Sequence, residues 1–165
     1  PLDTSKESLI SLIKLKEKYE DWLIEEEFDD LLQFIFSEII EPSIGEQVPC
    51  FIYNFPVSQA SLAKASDIDE RVAERFECYF KGLELANGFS ELTSEVIQRQ
   101  RFNQDNIARE QRSKSKKALD ERFLSALDTG LPDCAGVALG LDRLLMISLS
   151  KNSIEEVITF PFDRA

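Results

Sequence analysis

Histidine is missing altogether. Serine–histidine triads, histidine general bases and histidine-ligated zinc are therefore beyond what the chain can build by itself, and its chemistry must come from carboxylates, arginine or a borrowed cation. Cysteine is sparse: Cys50, Cys78 and Cys134 are far apart, odd in number and never in C-x-x-C spacing. That pattern forms neither a disulfide framework nor a zinc ribbon, and predicts buried thiols in a reducing compartment. No apolar run reaches the ~20 residues of a membrane helix, because Gln33, Ser37 and Glu38 interrupt the stretch 31–40. There is no signal-peptide pattern either, so a cytoplasmic protein without a membrane partner is expected. Positive charge is short, 19 Lys and Arg against 31 Asp and Glu for a net −12. That balance opposes broad neutralisation of phosphates and disfavours a general nucleic-acid coat.

What is present is enough for a core. With 43% apolar and 10% aromatic residues among 165, the chain is too hydrophobic for a disordered acidic tail and has the length of one domain with one core. It begins at Pro1 rather than methionine, which raises the expectation of a piece of a longer gene product.

Thr4 to Glu7 has capping-box spacing, and Leu9, Leu12, Ile13 and Lys16 follow in helical rhythm, predicting a helix to about Asp21. Phe28, Leu31, Leu32, Ile35, Phe36 and Ile39 predict a second helix that Pro42 closes. Residues 48–55 read as a buried strand and 58–66 as a loop. Strands at 76–80 and from Leu83 flank Lys81-Gly82, a hairpin turn. A surface helix over 94–112 is expected to turn Val96, Ile97, Phe102 and Ile107 inward. The basic run Arg109, Arg112, Lys114, Lys116 and Lys117 reads as a solvated loop or a contact for an acidic partner. A short helix around Phe123–Leu127 stops at Gly130 and Pro132, a strand-to-helix unit covers 137–150, and 157–162 reads as a final strand.

Two constellations can carry chemistry. Glu77, Glu84 and Glu91 stand seven apart, which is also the spacing of a solvated helical stripe, but Gly82 and Asn87-Gly88 argue against a helix there. In the hairpin Phe80 faces Leu83, Tyr79 faces Glu84 and Glu77 faces Ala86, so Glu77 and Glu84 are diagonal neighbours on one face. Glu91 falls out of phase unless a bulge, for which Asn87-Gly88 is a natural place, restores it. Gathered carboxylates need a compensating cation, and oxygen ligands alone select a hard ion such as Mg²⁺; ordinary surface glutamates are the alternative. The second constellation is GVALGLDR at 136–143, a small-residue strand opening into an apolar helix. Its glycines allow a flat ligand close to the backbone and Arg143 offers planar donors, although close strand–helix packing explains the glycines equally well. It is neither a P-loop nor a dinucleotide fingerprint.

GLELANGFSEL at 82–92 together with GVALGLDR at 136–143 resembles the class II lysyl-tRNA synthetases, the second stretch looking like their motif 3. FPVSQASLA at 55–63, LPDCAG at 131–136 and the terminal DRA at 163–165 make the closer likeness one to the elongation factor P (R)-beta-lysine ligases, short paralogues without an anticodon-binding domain. The resemblance runs from Phe28 onward. It implies an α+β fold, a class II antiparallel sheet flanked by helices, that binds ATP and a lysine-type amino acid. Glu77 and Glu84 match the residues that hold Mg²⁺ on the ATP phosphates. Glu84, Leu85, Gly140 and Arg143 match positions against the nucleotide, with Arg143 the catalytic arginine. Asn87, Phe89, Glu91 and Ala138 match the amino-acid pocket, Glu91 pairing with the substrate ammonium. Ala138 stands where the synthetases usually carry glycine, and its methyl favours a β-amino acid.

The implied acceptor is a lysine of elongation factor P rather than tRNA, and the intact enzyme is implied to be a homodimer. Motif 1 and the motif 2 strand pair are not in the chain, so the resemblance implies the C-terminal portion of a catalytic domain, with motif 3 at 136–150, unable to complete an adenylation site alone. Such a half-sheet is expected to show unpaired edges and bare apolar surface. A lysyl-tRNA synthetase fragment and a non-catalytic module of the same fold are the alternatives.

Overall fold

The first helix begins one residue later than the capping-box spacing predicts. In the computed structural model, which describes residues 4–16, 18 and 20–164, Ser5 is the N-cap and its hydroxyl accepts the Ser8 amide at 3.3 Å. Helix α1 spans Lys6–Leu15, shorter than expected, and a 3₁₀ turn follows at Asp21–Ile24. Pro1 and Ala165, on which two sequence expectations rest, lie outside the described residues. Helix α2, Phe28–Ile35, turns Leu31 and Ile35 onto Leu9, Ile13 and Leu23 to form a buried cluster, with Phe28, Leu32, Phe34 and Ile39 packed around it. Beyond Ile35 the helix widens into one π turn, Phe36–Ile40, then tightens into a 3₁₀ turn, Glu41–Ser43, where Pro42 ends it as predicted.

Four strands follow, β1 (Cys50–Pro56), β2 (Val72–Phe80), β3 (Leu83–Ser90) and β4 (Ala135–Leu139), in the spatial order β1-β2-β3-β4. The sheet is antiparallel. Lys81 bonds Gly45 at one end of the β1–β2 pair and Val57 bonds Arg71 at the other, while Gly140 bonds Leu85 and Glu91 bonds Cys134 across β3–β4. Lys81 at φ 52° and Gly82 at φ 69° are the two left-handed residues of a type I′ turn, so the predicted hairpin forms. With its helices this is the α+β architecture expected.

The chain divides into two compact units, where its length predicts one core. The first takes in residues through Tyr53, Phe76–Gly88 and Val137 onward. In it, helix α5 (Leu141–Ser148) follows β4, and Gly45 seats the segment after α2 against β2. Gly45 has φ +68°, and a Cβ there would lie 2.6 Å from the Tyr79 carbonyl oxygen. The second unit, Asn54–Arg75 and Phe89–Gly136, is built on Ala60, Ala63 and Ala73, with Phe89 packed on them. Residues 58–66 are irregular as predicted but tied down, Ala63 bridging Glu91 and Ala65 bridging Ala73. Helix α3, Glu95–Gln111, is capped by Ser94 and helix α4, Glu121–Thr129, by Asp120.

Several expectations fail for stated reasons. Strand β1 is an edge strand whose Phe51 and Tyr53 are exposed rather than buried. Val96, Ile97 and Ile107 of α3 also face outward. The inner side of that helix carries Gln98, which is buried, and Arg101, whose guanidinium donates to the Ser61 and Ala63 carbonyls at 3.0 and 2.7 Å. Backbone acceptors receive that side of the helix, while Phe102 meets Phe123 of α4, ring centroids 6.2 Å apart. Residues 157–162 form no strand but lie between the 3₁₀ turns Ile154–Glu156 and Phe162–Arg164. Of the three free thiols only Cys78 is buried, and Cys134 is exposed. The bare apolar surface expected of the chain is present on β4 and α5, where Val137, Leu139, Leu141, Leu144 and Leu145 are exposed. No helix among the described residues is long and apolar enough to cross a membrane.

Gly45 and Gly130 both have positive φ, but only Gly45 meets backbone, since nothing lies within 4 Å of a Cβ at Gly130. Gly45→Ala is therefore expected to cost more stability than Gly130→Ala in urea unfolding of this chain, the latter losing only the ~1 kcal/mol of backbone strain. Equal losses would contradict the close approach of Gly45 to β2.

Candidate functional site

Glu77 is a carboxylate only 7% exposed, in the middle of β2. Such a group must be given donors in place of water. The Tyr79 hydroxyl donates to Oε2 at 2.5 Å and the Asn87 amide donates to Oε1 at 2.9 Å. Burial, the bond to Glu77 and the nearby charges of Glu77, Glu41 and Glu84 all push the Tyr79 phenol far up, so its proton stays in place to donate. Asn87 is three steps past Glu84 on β3, and strict alternation would send it to the opposite face. Its amide nevertheless reaches the Glu77 carboxylate across the strand pair.

Glu84 and Arg143 are joined from the other side. Arg143, in the first turn of α5, donates through Nη1 to the Glu84 carbonyl at 2.6 Å and lies 3.7 Å from the Glu84 carboxylate. The Gly140 amide donates to the Leu85 carbonyl at 2.8 Å, so strand β3 and the start of α5 are clamped at two adjacent residues. A Cβ on Gly140 would make only ordinary contacts, 3.6 Å from the Leu85 oxygen and from Arg143 Cδ. The chain's own packing therefore does not demand glycine there. Ala138 is exposed on β4.

The third acid beside Glu77 and Glu84 is Glu41, which no spacing in the sequence points to. Burial first, then the negative charges of Glu84 and Glu77, raise its carboxyl above the ordinary carboxylate range, with Arg143 pulling the other way. It arrives there through the π turn after α2 and the seating of Gly45 on β2, both tertiary features. Among the described residues no three Cys, Asp or Glu side chains are set to hold a metal by themselves. Negative charge in excess of its one arginine, offered by carboxylates alone, nevertheless fits Mg²⁺. That ion is bound through one or two carboxylates and takes its remaining ligands from phosphates and water.

Phe89 and Glu91, which the sequence groups with these residues, belong to the second unit. Phe89 packs on the alanine cluster. Glu91 is half-buried, its amide donating to the Cys134 carbonyl at 2.9 Å. Its Oε1 lies 2.9 Å from where a Cβ on Gly136 would stand, so the glycine leaves room for that carboxylate. This pairing was also invisible in the spacing.

The raised Glu41 carboxyl gives a signed prediction. Below its unfolded pKa the group is protonated in both states and costs nothing; as pH rises through the higher folded value, like-charge repulsion enters and stability falls. Glu41→Gln is expected to raise the urea midpoint near pH ~7 and to leave it unchanged near pH ~3. A loss of stability at both pH values would contradict the crowding of these acids.

The chain was compared with known proteins. Residues 9–164 match the family model described as tRNA synthetases class II (D, K and N). A protein of Pasteurella multocida named elongation factor P--(R)-beta-lysine ligase is 48% identical over 165 residues, the whole of this chain and 50% of that protein. Proteins of the same name from Mannheimia succiniciproducens, 57% identical over 140 residues, and Salmonella dublin, 56% identical over 141, are each covered to 43% by 85% and 86% of this chain. The chain thus spans about half the length of the curated relatives it matches. It belongs to the class II tRNA synthetase family of the D, K and N type.

Proposed function

We propose that the intact protein is an ATP-dependent ligase that adenylates a lysine-type amino acid, (R)-beta-lysine, and passes it to a lysine side chain of elongation factor P. This chain is then the C-terminal portion of its catalytic domain, with motif 3 at 136–150. The observation that carries the reading is the gathering of Glu77, Glu84 and Asn87 with Arg143 in one unit, and the name borne by the relatives supports it.

In this reaction the amino-acid carboxylate attacks the α-phosphorus of ATP, the bond to pyrophosphate breaks, and an acyl-adenylate forms. The acceptor amine then attacks the acyl carbon, loses its proton, and AMP leaves. Arg143, whose guanidinium is already oriented by the Glu84 carbonyl, faces the nucleotide with the backbone of Leu85 and Gly140, and its fixed donors stabilise charge developing on phosphate without reorganising. Glu77 and Glu84 would hold Mg²⁺, which would supply neutralisation of the phosphates. Asn87 and Ala138 in the first unit, and Phe89 and Glu91 in the second, are each assigned to recognition of the amino acid. Glu91 pairs with the substrate ammonium and is left unpaired by neutral analogues, a strong ground for rejecting them. The Ala138 methyl contributes a preference for the β-amino acid of ~1–3 kcal/mol. No enzyme nucleophile is needed, in keeping with a chain that has no histidine. The intact enzyme acts in the cytoplasm as a homodimer.

The test is ATP–pyrophosphate exchange by the full-length gene product with Mg²⁺ and either (R)-beta-lysine or α-lysine, followed by transfer to elongation factor P or to tRNA. Exchange favouring (R)-beta-lysine, transfer to the protein, and a loss of about 100-fold or more in Arg143→Ala are expected. Exclusive charging of tRNA, or no exchange with either amino acid, would overturn the reading.

A further inference from the structure

The second unit holds a cavity of about 490 Å³ that the ligase reading does not use. Phe102, Ala108, Ala118 and Leu119 give it an apolar lining, and Arg109 and Lys117 stand at its wall. Its volume lies within the ~300–1,000 Å³ of ligand-binding pockets. It adjoins the one strongly basic run of an acidic chain, in which Arg109, Arg112, Lys114, Lys116 and Lys117 are accompanied by a single acid, Glu110.

A solvated basic loop has no reason to be fixed, and this one is. Arg109 donates through Nε to the Ser115 carbonyl at 2.8 Å, and the Lys114 amide donates to the Arg109 carbonyl at 2.8 Å. Asn106 closes the far end, its amide donating to the Lys117 carbonyl at 2.9 Å while its oxygen accepts the Lys117 amide at 2.8 Å. Ser113, at φ 55°, makes the bend that this anchoring requires. The cations are thus presented on a backbone already ordered, which lowers the entropy lost on binding.

We propose that this cavity and the basic run beside it dock an acidic peptide segment of a partner protein, one apolar side chain entering the cavity and carboxylates lying along Arg112 and Lys114 and replacing Glu110, 3.1 Å from Lys116, at the Lys116 ammonium. Charge complementarity selects an acidic partner, since this run gathers five cations around one acid in a chain of net −12. The apolar lining selects a peptide over a nucleic acid. Asp105 and Asp120 also line the cavity, Asp120 Oδ1 accepting the Arg122 and Phe123 amides as the cap of α4; their charge keeps the peptide's own carboxylates out of the cavity and on the basic run. The proposal stands apart from the ligase reading and survives its failure.

The probes are labelled peptides EEFEEL, EEAEEA and KKFKKL and a labelled RNA hairpin, titrated with this chain by fluorescence anisotropy at low and physiological salt. EEFEEL is expected to bind, EEAEEA about tenfold more weakly, and KKFKKL not at all. Lys114→Glu with Lys116→Glu is expected to weaken EEFEEL about tenfold, and Ala108→Trp, which fills the cavity, to make EEFEEL and EEAEEA equal. Circular dichroism checks that each variant keeps its helices. Absence of EEFEEL binding, binding indifferent to both variants, equal binding of KKFKKL, or tighter binding of the hairpin through the same lysines would each overturn the proposal.

Discussion

A carboxylate withdrawn from water has to be satisfied where it lies, and Glu77 sets that requirement for the first unit. The Tyr79 hydroxyl and Asn87 amide meet it, and each donor fixes something else. Tyr79 stays buried partly through its edge contact with Phe36, ring centroids 5.5 Å apart, which ties the π turn to β2. The Asn87 bond ties β3 to β2 away from the turn, so the pairing of the two strands is held by a side-chain bond as well as by Lys81-Gly82. Gly45 then lays the following segment on β2 and brings Glu41 close to Glu77 and Glu84.

The features legible in the sequence are those decided by neighbouring residues. Lys81-Gly82 specifies a type I′ turn because glycine and one tolerant neighbour take positive φ, and the pairing of Tyr79 with Glu84 follows by counting. Ser94, Pro42 and Gly130 mark helix ends for equally local reasons. What needed the fold was the placement of Glu41, whose approach depends on a π turn that no hydrophobic rhythm announces. The inner face of α3 departs from the apolar rhythm because Arg101 donates to the Ser61 and Ala63 carbonyls and Gln98, a turn earlier, is buried, polar residues that periodicity counts as solvent-facing. Strand β1 was misread for the reverse reason: an apolar strand at an open sheet edge stays exposed until something covers it.

The absence of histidine and the gathering of acids describe one chemical situation. Burial and then the charges of Glu84 and Glu77 raise the Glu41 carboxyl, while Arg143, 3.7 Å from the Glu84 carboxylate, opposes that rise. A site of that kind favours a ligand that brings its own cation. The chain spans about half of its relatives, and the exposed apolar residues of β4 and α5 occupy the stretch that resembles motif 3.

The holding of Glu77 is tested most directly by a double-mutant cycle on Tyr79→Phe and Glu77→Gln, with unfolding free energy measured in urea at neutral pH. Tyr79→Phe should cost ~1.5–3 kcal/mol alone and much less in the Glu77→Gln background, because a bond to a charged acceptor is the stronger one. Equal costs in the two backgrounds would mean that the carboxylate is not held by the phenol.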